Sequence, residues 1–224
     1  MIAYLFLPRG FKPPFQVIHF APASDVESGL RSLAKSLESK LPPHIRSGRA
    51  GFGVAMEGYI DRPRTAAFEE PDSRSGEYVD YVVSHVTELR RGLDYLQTRP
   101  DIDASRIAFE ADSAGVWAGV ILCAVDKRYR SVMFVGSGVE AREVTDEPAA
   151  NRINFLPHIA APKFMLQGRY DESTPYASAF EPLYRLLREP KRAVIFEGPH
   201  VPPLEVYVRE SQKWFDETMG KVRP

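Results

Sequence analysis

Cys123 is the only cysteine, so no internal disulfide can form, and a reducing, cytoplasmic setting is expected. Charge of one sign is lacking as well: 29 Lys and Arg stand against 30 Asp and Glu. A chain this balanced has no field to gather nucleic acid or an anionic membrane, so its partners belong at a local site. No stretch approaches the roughly 18 uninterrupted apolar residues of a membrane span. The apolar start, MIAYLFLP, has no basic region before it and no cleavage-type small residues after it, and it is too short for a signal-peptide core. Metal-ligand spacings are missing too, with no H-E-x-x-H, no C-x-x-C and no paired histidines, so neither metal nor other cofactor is expected. There is no internal repeat, low-complexity tract or linker, and residues 1–224 read as one domain.

What is present is an alternation. Short β-branched or aromatic runs predict strands at Tyr4 to Leu7, Gln16 to Phe20, Ala50 to Met56, Arg106 to Glu110, Ser131 to Val135, Lys163 to Leu166 and Ala193 to Phe196. Between them lie helical periods. Leu30, Leu33, Ala34, Leu37 and Leu41 form one stripe, with Ser24 and Glu27 ahead of it as a capping box. Tyr78, Val82, Val86, Leu89, Leu93 and Leu96 form the longest. Ala114 to Val125 is apolar on nearly all sides and should be deeply buried. Thr174 and Pro175 read as the cap and first residue of a helix to about Leu187, and Leu204, Val208, Phe215 and Met219 mark a last one. This pattern predicts an α/β fold: a doubly wound, mainly parallel sheet of about seven strands with helices on both faces. Gly136 to Pro162 has no clear period, and its part at about 140–160 is expected to be a small lid or pocket wall.

Ligands of such sheets bind beyond the carboxyl ends of the strands, where three residues command notice. Ser113 follows RIAFE, Asp171 follows KFMLQGRY and His200 follows RAVIFEGP. In EADSAG a strand-to-helix turn between small residues would lift the Ser113 oxygen clear of the backbone. His200 could then take its proton, and Asp171 could orient the imidazole. Each has a plainer reading: Ser113 as a turn serine, Asp171 as a helix cap with Glu172 as its neighbouring substitute, His200 as a solvated loop residue. The remaining histidines have weaker claims, His19 inside a strand, His44 in a loop, His85 on a helix and His158 in the long polar segment. GSGVEA, Gly136 to Ala141, matches G-x-G-x-x-A after a strand, but no apolar helix follows, so it reads as a strand-end turn rather than a dinucleotide loop.

With Ser113, Asp171 and His200 in that order, the chain resembles the α/β-hydrolase superfamily over nearly its whole length, and is similar to the dienelactone-hydrolase and prolyl-oligopeptidase-like carboxylesterases. SGRAGFGVAMEGYIDR, RRGLDYLQTRPDID, INFLPHIAAPKFMLQGRYDESTP and GPHVPP look most like the hydrolase domain found behind bacterial serine/threonine protein kinases. The resemblance implies a serine carboxylesterase forming an acyl-enzyme on Ser113, with His200 and Asp171 completing the triad and small to medium acyl esters as substrates. It departs from the family at Ala111, where Gly is usual, at Asp112, where a bulky aromatic is usual, and at Pro22, where Gly is usual and no N–H is available. Ala114 N–H is the expected first oxyanion donor, and Ala23 N–H, or Ala21, the second. Phe155, Tyr170 and Tyr176 are candidate pocket residues. The first strand matches the second of the larger fold, which implies an N-terminally shortened hydrolase or a domain cut from a longer chain. A homodimer is left open. The alternative is a non-catalytic ligand-binding or regulatory module that keeps the fold.

Overall fold

The computed structural model describes residues 1–63, 71–139 and 150–222. Seven strands, β1 (Ile2–Phe6), β2 (Phe15–Ala21), β3 (Ala50–Ala55), β4 (Ile102–Asp112), β5 (Ser131–Val135), β6 (Lys163–Gly168) and β7 (Lys191–Phe196), make one sheet in the order β1-β3-β2-β4-β5-β6-β7. Only β1 is antiparallel, pairing with β3 at the edge; the other pairings are parallel. Strands β2, β3, β5 and β6 are buried along their full length, as their near-continuous apolar runs predict for strands covered on both faces.

Seven α-helices are described: α1 (Ser24–Glu27), α2 (Leu33–Lys40), α3 (Pro42–Arg46), α4 (Gly76–Thr98), α5 (Gly115–Val125), α6 (Glu181–Leu186) and α7 (Leu204–Met219). Alternation along β3 shows how the faces divide. Gly51 and Gly53 lie against Leu41 and Leu37 on the α2 side, while Phe52 and Val54 lie against Gly92 of α4 on the other. Helix α5 joins α4 on its face, with Gly119 close over Phe109 and Ala111, and α7 joins α2 and α3. None of the described helices is long and apolar enough to cross a membrane.

Two expected helices are corrected. The capping box of Ser24 and Glu27 is not formed: Ala23 occupies the N-cap of the four-residue α1, and no side chain caps it. Gly29 then adopts φ +73, which breaks the helix, and Leu30 is 82% exposed. The next helix starts afresh with the Ser32 side chain accepting from Lys35 N at 3.3 Å. Thr174 likewise caps nothing. A π turn, Tyr176–Phe180, comes before α6, and Thr174 is drawn to Asp171 instead.

The sheet order places the site. The chain leaves β2 toward β3, recrosses through α4 to β4, then continues outward to β7. The loops after β2 and β4 therefore diverge, which opens a crevice at their carboxyl ends. The part of the expected lid at residues 140–149 lies outside the described residues.

Candidate active site

The β4 ladder runs up to Asp112, opposite Val135, and Ser113 N extends it by bonding Val135 O at 2.8 Å. Ser113 then turns into φ 47, the only non-glycine residue with positive φ among the described residues. A serine held there is strained by about 1–3 kcal/mol, a cost the surrounding packing must offset. That packing is tight. A Cβ on Gly115 would come within 2.4 Å of Pro22 O and 2.7 Å of Ala21 O, so only glycine lets the start of α5 approach the β2 loop. The small residue expected at Gly115 is required by this close approach.

The turn aims Ser113 Oγ at His200, whose Nε2 lies 2.9 Å away. On the other side of the ring, His200 Nδ1 lies 2.7 Å from Asp171 Oδ2. Three strand ends, those of β4, β6 and β7, thus meet in one hydrogen-bonded line. With Asp171 ionised, Nδ1 carries the proton and donates it, leaving Nε2 as the acceptor for the serine hydroxyl.

Asp171 is buried and heavily hydrogen-bonded. Its Oδ1 accepts from Ser173 N at 2.8 Å and Thr174 N at 2.9 Å, and its Oδ2 from Thr174 Oγ1 at 2.7 Å and Gln167 Nε2 at 2.8 Å. Burial alone would raise its pKa, but the Thr174 side-chain and backbone bonds, followed by His200, outweigh that and hold it below the ordinary carboxylate range. Asp171 therefore orders its own loop and reaches the imidazole at once. Gln167 was not singled out by sequence reasoning. It sits inside β6 and ties the site together, giving its amide to Asp171 and Thr174 and accepting from Ser137 N at 3.2 Å.

The GSGVEA glycines have a packing reason. Gly136 adopts φ +58, and a Cβ there would stand 3.0 Å from His200 Cε1, so the turn and the ring need a glycine together. A Cβ on Gly138 would meet the Ala179 backbone at 2.6 Å. Residues 140 and 141 of the motif lie outside the described residues.

A cavity of about 630 Å³ opens over Ser113 and Ala114. Phe155, Tyr170 and Tyr176 do not line it. Tyr170 is 66% exposed, Phe155 packs against the core, and Tyr176 stacks on Phe180 with Arg169 above it. The lining aromatic rings are Tyr59, Tyr78, Tyr81, His85 and Trp117 instead. Ala21 and Ser24 also line it, whereas Ala23 between them does not. The Pro22 and Ala21 carbonyl oxygens crowd the start of α5 at Gly115.

A second polar cluster lies beneath the elbow on the α2 and α7 face. Glu110 is fully buried and accepts from Tyr207 Oη at 2.5 Å and from His44 Nε2 at 3.0 Å; Lys40 pairs with Asp112 at 2.5 Å. His44 Nδ1 has no hydrogen-bond partner among the described residues. Elsewhere, His19 is buried beside Tyr129 Oη at 2.8 Å, and burial lowers its pKa to about 3, so it stays neutral. Burial raises the Cys123 thiol well above its ordinary range. Among the described residues no group of three or more His, Cys, Asp or Glu could hold a metal ion.

No protein-family model matches the chain, and no curated protein matches it in sequence. Solved structures do. An acetyl xylan esterase from Paenibacillus sp. R4 is 16% identical with a TM-score of 0.70, covering 96% of this chain and 79% of that one. The α/β hydrolase GrgF from Penicillium sp. sh18 is 14% identical with a TM-score of 0.71, covering 97% and 93%. Est1E from Butyrivibrio proteoclasticus, solved with ferulic acid bound, is 14% identical with a TM-score of 0.69, covering 98% and 96%. At such identities the likeness speaks for architecture, and together with the sheet order it establishes that the chain has the α/β-hydrolase fold.

Proposed function

We propose that the chain is a serine carboxylesterase working through an acyl-enzyme on Ser113. The observation that carries this reading is the line Ser113 Oγ, His200 and Asp171, with contacts of 2.9 and 2.7 Å, at the mouth of a cavity. The esterases among the structural neighbours support it by analogy. The likeness to kinase-associated hydrolase domains rests on the four sequence stretches alone.

The reaction follows from the geometry. As Ser113 Oγ attacks an ester carbonyl, its proton passes to His200 Nε2, and Asp171 stabilises the imidazolium that results. The oxyanion forms at the positive end of α5, where Ala114 N–H has no backbone partner among the described residues. The second donor comes from the chain at the end of β2, from Ala23 or Ala21 N–H, since Pro22 between them has none to give. His200 then gives the proton to the leaving alcohol, and a water deprotonated by the same nitrogen releases the acid.

Hydrolysis of 4-nitrophenyl acetate is the test. The wild type should turn it over with a burst of nitrophenolate matching the enzyme concentration, and Ser113→Ala and His200→Ala should each lose at least a thousandfold in kcat/KM. A folded wild type without turnover would leave the ligand-binding module as the better reading, in keeping with Pro22 in the oxyanion loop.

A further inference from the structure

The cavity over Ser113 has two unlike walls, and the position of His200 says which part of an ester meets each. On one side stand Ser137, Ser173 and Thr174, with Arg152 reaching Ser137 Oγ at 3.4 Å and Gly138 O at 2.6 Å. This is the His200 side: the β5 turn at Gly136 abuts the imidazole, and the Ser173 and Thr174 N–H groups hold the Asp171 carboxylate. The opposite side is mainly aromatic, with the His85 ring 4.2 Å from that of Tyr81, and Glu27 also lines the cavity. Tyr78 and Tyr81 come from one face of α4, and Trp117 comes from α5, one helical turn beyond Ser113. Their rings form a connected cluster, Tyr78 to Trp117 at 5.8 Å edge-on, Tyr78 to Tyr81 at 6.2 Å and Tyr81 to Trp117 at 6.3 Å. Buried Met56 and Tyr59 line the same cavity, and Tyr81 and Trp117 are half-buried and border the open space.

The leaving oxygen of an ester must come within hydrogen-bond reach of His200 Nε2, because that nitrogen supplies its proton. The alcohol half therefore occupies the polar side. The acyl half, bonded to the same carbonyl carbon, extends toward Trp117, Tyr78 and Tyr81. Resting on the serine-esterase reading, we infer that the preferred substrates are esters of carboxylic acids that carry an aromatic ring, with the acid's ring packed edge-to-face or offset against Trp117 and Tyr81. A planar ring meets such a cluster with its edge or face, a geometry that favours it over a flexible alkyl chain of equal size. The alcohol half is small or polar. This assignment covers the acyl pocket, which Phe155, Tyr170 and Tyr176 do not form.

A pair of isomers separates acyl from alcohol recognition at constant size and apolarity. Ethyl phenylacetate carries its ring on the acid, and 2-phenylethyl acetate carries it on the alcohol. The wild type should show kcat/KM at least tenfold higher for ethyl phenylacetate. Trp117→Ala should bring the ratio of the two values down by about tenfold, with Tyr81→Ala moving it the same way. Trp117→Phe should keep most of the preference. Tyr81 is half-buried, so its variant serves if Trp117→Ala fails to fold. A wild-type ratio of one or less, in an enzyme that turns over 4-nitrophenyl acetate, would overturn the aromatic-acyl assignment and leave the esterase reading standing. A ratio insensitive to both Ala variants would also overturn it. If neither isomer nor 4-nitrophenyl acetate is hydrolysed, the esterase reading itself falls, and the assignment with it.

Discussion

The Lys40 ammonium lies 2.5 Å from the Asp112 carboxylate, one residue before the turn that carries Ser113. Asp112 and Glu110 are two apart on β4 and share a face, so a single ammonium stands by two carboxylates. Burial raises the Asp112 pKa, Lys40 opposes the rise and Glu110 adds to it. Ionised Asp112 is thus the state that needs Lys40.

Replacing Lys40 with Met should therefore destabilise the protein in a pH-dependent way. A carboxyl whose folded pKa is raised contributes stability below its unfolded pKa and loses it as pH rises through the folded value. Without Lys40 the Asp112 pKa climbs further, so the loss should be small at pH 4 and grow to about 1–3 kcal/mol at pH 8. Urea denaturation at the two pH values checks this. A loss independent of pH would assign Lys40 to packing on the Tyr207 ring, 3.9 Å below its ammonium.

Asp171→Asn keeps the shape of the loop but exchanges an acceptor for a donor opposite His200 Nδ1. The imidazole should flip its tautomer, leaving Nε2 protonated and unable to accept from Ser113. Turnover of a 4-nitrophenyl ester should drop by roughly 10⁴-fold in kcat. Stability should respond on the acid side. Because the folded Asp171 pKa is depressed, its contribution is present above the ordinary carboxylate pKa of about 3.9 and is lost as pH falls through the lower folded value. The variant should show a flatter decline in melting temperature between pH 5 and pH 3.

Gly136→Ala tests whether the β5 turn sets the ring of His200. The residue has φ +58, and the new methyl would stand 3.0 Å from Cε1. The conformational cost should be about 1 kcal/mol of stability. The larger effect should be on catalysis, since His200 must move by a few tenths of an ångström. A tenfold or greater loss in kcat with KM within threefold is expected. An unchanged kcat would mean that the turn does not position the ring.

How legible this was differs by element. Ser113, Asp171 and His200 could be found because each follows an apolar strand run, and a parallel sheet sends every such end to the same rim. Helix α5 was legible for a related reason: a helix apolar on all sides has to lie in the core. The helix expected through Leu30 failed because its period is real but Gly29 interrupts it, and a serine-glutamate pair looks the same whether or not the backbone turns at it. The Lys40, His44, Glu110 and Tyr207 cluster joins three distant segments, residues 40–44, β4 and α7. Its one local signal was a pair of acids, Glu110 and Asp112, at the end of an apolar strand. Trp117, one turn past Ser113, and Tyr81 beside the α4 core stripe were within reach of the same spacing argument, but a periodicity cannot tell a ring that fills the core from one that faces a cavity.

A fluorophosphonate probe reports most directly on the activated hydroxyl. After exposure to an excess of the probe, the wild type should gain the mass of one phosphonyl group, located on the peptide containing Ser113, while Ser113→Ala gains none and His200→Ala reacts at least a hundredfold more slowly. Equal labelling of wild type and Ser113→Ala, or no labelling of a folded wild type, would contradict the account.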